Sequence, residues 1–413
     1  MPVLYSYLNL SNGSNLLADS GFVFQESLLR GLRDLGWETV LIGPPGVRAV
    51  TSSRAVEVEM PDSKYAVRYS FPWSHLENAL ASCGSTPDAL LVNQPELAVP
   101  LSALIAEQSG RKVPTGVYYH YLPIESVDAS GDVHFDPSLN ANGLAGSIWA
   151  RQVEAAHFAD LLMIGSEWGR RLFLSAAPGS EALADKLAVV PPPTTVRGTD
   201  VEVVPATTVR GTDPRAGTGD SPPIPTFLYN HRLYAHYGTT ELFDWFEELA
   251  EISPTPFRVV VTNPTGRRSA RRRKLDSSVD AVLARISQLP FVSTVDAPTR
   301  SAYEAVIART DIGVAPLRAG ALWSMAVVDV MASGRPVLGV RRGAIPEIIG
   351  DDDLLFADRA QFLDRALKLI ADSAYAVRKG AAAERRSRRW APEQIAERVS
   401  DLFTRVDRPL AVR

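Results

Sequence analysis

The sequence predicts an α/β protein of two doubly wound parallel sheets that face each other across a cleft. Three observations predict it. Short apolar runs alternate with helical stretches of about 10 to 15 residues, the pattern of strands joined by covering helices. The alternation stops near residue 190 and restarts near 226. The 413 residues also exceed what one ordinary core serves.

The elements follow in order. VLYSYLNL (3 to 10) reads as a strand and SNGSNLLADSG (11 to 21) as a polar loop. FVFQESLLRGLRDLG (22 to 36) has helical spacing, with Phe24, Leu28, Leu32 and Leu35 near one face and Gly36 as its stop. ETVLIGPP is the next strand and turn. ALLVNQ (89 to 94), the helical ELAVPLSALIAEQSG and VPTGVYYHYLP (113 to 123) repeat the rhythm, and QVEAAHFADLLMIGSEWGRRLFLSAA runs helix, strand, helix. These place a first domain at 1–190. At the break, VVPPPTTVRGTD is followed directly by VEVVPATTVRGTD, a tandem copy with a period of 13 residues. Copies rich in Pro, Thr and Gly cannot stack as a repeat fold, so 191–225 reads as a linker holding a tolerated insertion. From 226, FLYNH, FRVVVTNP, FVSTVDA, DIGVAPL, RPVLGV and DLLFA alternate with ELFDWFEELAEI, SAYEAVIART and SMAVVDVMASG. They form a second domain at 226–390. A terminal helix in 391–413 is placed to cross back to the first domain.

Composition narrows the function. Hydrophobic residues make up 46% and charged residues 22%, the mix of an ordinary globular protein. A net charge of -4 gives no whole-molecule attraction to nucleic acid or an anionic membrane. The single Cys83 excludes an internal disulfide and a cysteine zinc cluster, and fits a reducing cytoplasm, the expected location. MPVLYSYLNL has no basic segment of the secretory type, and no apolar run approaches the ~20 residues of a membrane span.

The residues that carry chemistry stand in FLYNHRLYAHYG (227 to 238). An apolar run ends in Asn230, His231 and Arg232, and His236 and Gly238 follow before a helix begins. Ligands of parallel sheets bind at the carboxyl ends of strands. An Arg and two His there suit an anion, and we read it as the diphosphate of a nucleotide sugar. The chain has no P-loop, no G-x-S-x-G and no H-E-x-x-H. No G-x-G-x-x-G follows the first strand, which argues against a nicotinamide dehydrogenase.

Residues 311–350, DIGVAPLRAGALWSMAVVDVMASGRPVLGVRRGAIPEIIG, resemble the donor-binding segment of the GT-B glycosyltransferases of the retaining Glu-x7-Glu family. DVMASGRPV (329 to 337) stands where that family has E-A-M-A-x-G-x-P-V, and RRGAIPE (341 to 347) resembles its G-G-x-P-E. ADLLMIGSEW and VVPPP agree more coarsely. The Asn-His-Arg triplet also resembles the queuosine tRNA mannosyltransferases. The resemblance implies two Rossmann-like domains and transfer of a sugar from a UDP- or GDP-linked donor to a hydroxyl-bearing acceptor, with no cofactor and no metal. Donor contacts would come from Asn230, His231, His236, Trp323, Ser324, Met325 and Asp329. Free N–H groups of a helix opened by Ser324 and Met325 would hold phosphate. Asp329 would accept from ribose hydroxyls, or be an ordinary helix carboxylate. His120 and Arg232 are the catalytic candidates, His120 against the donor sugar and Arg232 on the departing diphosphate. Each also has a plain reading, a core histidine or a salt bridge. Asp19 and Gly21 would lie near donor or acceptor, or Asp19 would simply sit at a helix start. The pattern is incomplete. Ala321 stands where the first Glu belongs, and Tyr237 stands where a Lys precedes Gly238. His231 or His236 would then replace that cation in part, which would make activity pH-sensitive. A nucleotide-sugar 2-epimerase and a sugar-nucleotide-binding pseudoenzyme are the alternative readings.

The acceptor is a small molecule or a nucleic acid, including a modified base in DNA or tRNA. Arg267, Arg268, Arg271, Arg272, Arg273 and Lys274 form a basic run of the kind that binds phosphate backbones or faces solvent. No interleaved aromatics offer base stacking. If the run grips a phosphate backbone, binding of DNA or tRNA falls steeply with salt, and changing Arg271, Arg272 and Arg273 to Ala flattens the slope. A salt titration of both proteins checks this, and two superimposable flat curves would leave a small-molecule acceptor.

Overall fold

The computed structural model describes residues 1–13, 15–63, 66–136, 143–194, 224–234, 237–262, 278–318 and 322–406. The chain divides into two compact units, Met1–Thr195 with Trp390–Arg413, and Val196–Arg389. Residues 195–213 of the duplication and the basic run lie outside the described residues, as do His236 and Ala321.

The first unit is built on β1 (Val3–Tyr7), β2 (Glu38–Gly43), β3 (Arg54–Glu57), β4 (Ala89–Val92), β5 (Thr115–Tyr119), β8 (Leu161–Ile164) and β9 (Leu187–Val189). They pair in the order β3-β2-β1-β4-β5-β8-β9. Every pairing is parallel, as in Leu4 opposite Thr39 and Ala89. A separate antiparallel ribbon joins β6 (Ile124–Val127) and β7 (Val133–Phe135). β1, β4, β5 and β8 are buried throughout, which is why they read as unbroken apolar runs. The first helix spans Ser20–Asp34, two residues earlier than its apolar spacing predicts, because Asp19 caps it.

The second unit is built on β10 (Thr226–Tyr229), β11 (Arg258–Thr262), β12 (Val292–Val295), β13 (Ile312–Val314), β14 (Val337–Val340) and β15 (Leu355–Phe356), in the order β12-β11-β10-β13-β14-β15. All of these pairings are parallel. Phe227, Phe246, Phe257, Phe356 and Phe362 form an aromatic core. Gly313 of β13 sets the depth of the helix Met325–Ala332: a Cβ there would lie 2.8 Å from Val330 and 3.1 Å from Val337. Any larger residue would push out the helix that carries Asp329.

In both sheets the strand order reverses at one place. The first unit switches between β1 and β4, the second between β10 and β13. Crevices for ligands open at such points, outside the carboxyl ends of the strands.

The helix Pro392–Val406 packs within the first unit. Trp37 Nε1 donates to Ser400 Oγ at 3.0 Å, and Phe403 is buried against Gly116. A Cβ on Gly31 would meet Ala396 at 2.7 Å and the Pro392 carbonyl oxygen at 2.8 Å. Phe403→Ala is expected to cost about 3 kcal/mol and Gly31→Val about 1–3 kcal/mol of the first unit's stability. Urea titration checks both, and a loss below about 0.5 kcal/mol for each would mean that this helix contributes little to the core.

Candidate functional site

The second unit's switch point is organised by side chains from three elements. Asn230 stands immediately after β10. Its Nδ2 donates to the Tyr303 hydroxyl at 2.7 Å and to the Ala326 carbonyl at 2.9 Å. Arg300 opens the helix Arg300–Ala308, capped by Thr299. Its Nη1 and Nη2 donate to the two oxygens of Asp329 at 3.0 and 2.9 Å, and its Nε donates to Glu304 at 2.8 Å. The guanidinium lies 5.2 Å from the centre of the Tyr303 ring. Burial, and then the Asp329 charge, push the Tyr303 hydroxyl well above the ordinary phenol range. Burial alone would push the Arg300 guanidinium down, but the Asp329 carboxylate beside it holds it up.

Asp329 is therefore deeper than a half-buried ribose ligand. It is 3% exposed, and both carboxylate oxygens are taken by Arg300. The physical reason is local. A carboxylate this buried needs a partner, and Arg300 is the cation within reach.

Ser324 caps the helix Met325–Ala332, accepting from the Val327 N–H at 3.4 Å. Met325 and Ala326 supply its first turn, and Trp323 precedes the cap. Arg232 is exposed, with Nη1 donating to the Tyr234 hydroxyl at 3.1 Å. His231 packs edge-on against Tyr229, at 5.4 Å between ring centres. Its Nε2 is buried and has no partner among the described residues, and burial pushes its pKa down to about 4. As it stands His231 is a neutral imidazole, so it does not supply the charge missing at Tyr237. Along the same edge, a groove of about 310 Å³ is lined in part by Arg318, Arg341 and Arg342. Arg318 pairs with Glu241, and Arg341 with Asp352 at 2.6 Å.

In the first unit, Asn9 follows β1 and Asn93 follows β4, and both are buried. Asn9 Nδ2 donates to Gln94 Oε1 at 3.2 Å. His120 follows β5, and its Nε2 hydrogen-bonds Asn93 Oδ1. The ring sits between Phe24 and Tyr118, at 4.6 and 4.4 Å. Burial, and then the nearby Arg68 charge, push its pKa down to about 3, so it too is neutral. Asp19 is the cap of the first helix, accepting from Gly21 N–H at 2.8 Å and Phe22 N–H at 3.3 Å. Gly21 leaves room for Asn93 Nδ2 to approach its carbonyl at 3.4 Å. Beneath them Arg68 and Glu96 form a buried ion pair, to which Gln152 Nε2 adds a bond at 3.2 Å.

Of the residues singled out by sequence, the structure thus gathers Asn230 and Asp329 in one network, at the helix that Ser324 caps and Met325 opens, and sets His231 and Arg232 beside Asn230 in the chain. Sequence reading missed Arg300, Tyr303, Asn93 and the Arg68–Glu96 pair. Among the described residues, no group of three or more His, Cys, Asp or Glu is arranged to hold a metal ion. No described helix is long and apolar enough to cross a membrane.

Residues 225–372 match the family model described as "Glycosyl transferases group 1". No curated protein matches the chain. Among solved structures, the chain is similar to sucrose-phosphate synthase from Thermosynechococcus elongatus, at 14% identity and a TM-score of 0.68 over 98% of this chain and 99% of that one. It is similar to Anabaena HepE in complex with UDP, at 13% identity and a TM-score of 0.65 over 98% and 100%. A UDP-forming α,α-trehalose-phosphate synthase from Burkholderia xenovorans aligns at 14% identity and a TM-score of 0.64 over 99% and 100%. The fold is the two-domain, Rossmann-like architecture of GT-B glycosyltransferases.

The two neutral histidines have a stability consequence. Their folded pKa values, about 3 and about 4, lie below the ordinary 6.5. Between those values the unfolded chain binds protons that the folded chain does not, so stability is full above pH 6.5 and falls as pH drops toward 4. The double variant His120→Asn and His231→Asn is expected to flatten this fall. Urea midpoints from pH 7 to 4.5 check it, and parallel curves for the two proteins would mean that both rings are protonated in the fold.

Proposed function

We propose that the protein is a glycosyltransferase that moves a sugar from a nucleoside diphosphate sugar, UDP- or GDP-linked, to a hydroxyl of its acceptor. The observation that carries this reading is the Asn230–Tyr303–Asp329–Arg300 network. It lies at the switch point of the sheet in the segment that matches the glycosyltransferase model. Support also comes from solved neighbours whose names specify UDP, UDP with glucose, and UDP-glucose as bound species. In this reading the second unit holds the nucleotide and the first contributes most acceptor contacts.

The bond between the anomeric carbon and the diphosphate oxygen breaks, and a bond from that carbon to the acceptor oxygen forms. The acceptor proton leaves with the diphosphate. The leaving group needs charge stabilisation. Arg232 supplies a cation, and the first-turn N–H groups of the helix capped by Ser324 supply hydrogen bonds. His231, neutral and with Nε2 unpartnered, offers a further hydrogen bond without charge. His120 is tied to Asn93 and acts by position rather than as an acid. No side chain of the network is an evident nucleophile, and we infer retention of configuration only from the resemblance to the retaining Glu-x7-Glu family. The single Cys83 is in keeping with a cytoplasmic protein.

Incubation with UDP-glucose, UDP-N-acetylglucosamine, GDP-mannose and ADP-glucose tests the reading. Release of nucleoside diphosphate from one of them is expected, with Arg232→Ala lowering kcat by about 100-fold. Conversion of the sugar without release would indicate an epimerase, and binding without chemistry a pseudoenzyme. Neither release nor binding would sink the proposal.

A further inference from the structure

We propose that Arg300, anchored by Asp329, is the residue that recognises the nucleoside of the donor, an inference that rests on the glycosyl-transfer reading above. A carboxylate at 329 could hold ribose hydroxyls only if a ligand could reach it. Its side chain is 5% exposed, and both oxygens accept from Arg300. The lone pairs that remain lie in a nearly closed site, so a ligand hydroxyl meets Arg300 first.

Arg300 has what Asp329 lacks. Its side chain is 29% exposed. A guanidinium carries five N–H donors. One goes to Glu304 and two go to Asp329, so two have no partner among the described residues and are open to a ligand. Asp329, Glu304 and the Tyr303 ring hold the group in one orientation, so little side-chain freedom remains to be lost on binding.

Charge decides which part of the donor it meets. Arg300 is flanked by Asp329 and Glu304, so the trio carries a net charge of -1. That disfavours a diphosphate and suits neutral oxygens. Asp329 also lies five residues beyond Ser324, about 7.5 Å along the helix from its phosphate-facing start. This is the offset expected between diphosphate and nucleoside. Because a guanidinium only donates, it requires acceptor atoms: a base carbonyl or a ribose oxygen. Recognition here is thus opposite in polarity to that of a bare carboxylate.

Isothermal titration with UDP, GDP and inorganic pyrophosphate tests the assignment. Wild type is expected to bind one of the two nucleotides. Arg300→Ala should raise that Kd by about 10- to 100-fold, the scale of a lost charge-assisted hydrogen bond, with the pyrophosphate Kd unchanged. Arg300→Met with Asp329→Leu removes the pair together, leaves no buried lone charge, and should show the same selective loss while unfolding cooperatively. An unchanged nucleotide Kd in either variant, or equal losses for nucleotide and pyrophosphate, would overturn the role of Arg300. If wild type binds neither nucleotide, the glycosyl-transfer reading itself fails, and this inference with it.

Discussion

Parallel pairing is the constraint on which everything else in the two units depends. A parallel strand cannot be joined to its neighbour by a tight turn, so each connection must run back across a face, usually as a helix. Both faces of each sheet are then covered, and the strand ends are where polar side chains from several elements can converge on a ligand. Where the winding reverses, between β1 and β4 and between β10 and β13, connections leave toward opposite faces and a crevice opens. Asn9, Asn93 and His120 stand at the carboxyl ends in the first unit, and Asn230 and the Ser324 cap in the second.

Burial at those ends then dictates the state of each ionisable group. Asp329 is nearly inaccessible, and an unpaired carboxylate there would cost several kcal/mol. The Arg300 pair removes that cost and fixes two helices against each other. Arg68 and Glu96 do the same beneath His120. Such pairs add little net stability over apolar packing, but breaking one is expensive. Their value is geometric: each holds a hydrogen-bonding group in one orientation at the edge of the sheet.

The architecture was legible because apolar runs of buried parallel strands announce themselves. Thus β10, β13 and β14 fall within the runs that the sequence predicts, and Ser324 is the helix cap that its residue type suggests. The side-chain partnerships were not legible. Asp329 and Arg300 are 29 residues apart, and no local spacing rule connects them. One local signal existed. A cation in the first turn of a helix opposes the helix dipole, so Arg300 directly after Thr299 breaks a rule that a distant carboxylate then justifies. Asp19 was open between ligand contact and helix acid, and its bonds to Gly21 and Phe22 make it a cap. The neutral state of His231 was not legible, because burial pushes its pKa down and residue order does not encode depth.

The neutral histidines bear on how a diphosphate would be held in the proposed reaction. A chain that lacks the expected Lys at 237 and keeps His231 uncharged has fewer fixed cations near β10 than the sequence suggested. In the proposed reaction, stabilisation of the leaving group would fall more heavily on oriented N–H dipoles at the Ser324 helix start and on Arg232. Dipoles of this kind are already in place before the ligand arrives, so they cost no reorganisation as charge develops. His231 adds to them in a specific way. An imidazole with a buried, unpartnered Nε2 gains most from a ligand atom that satisfies it.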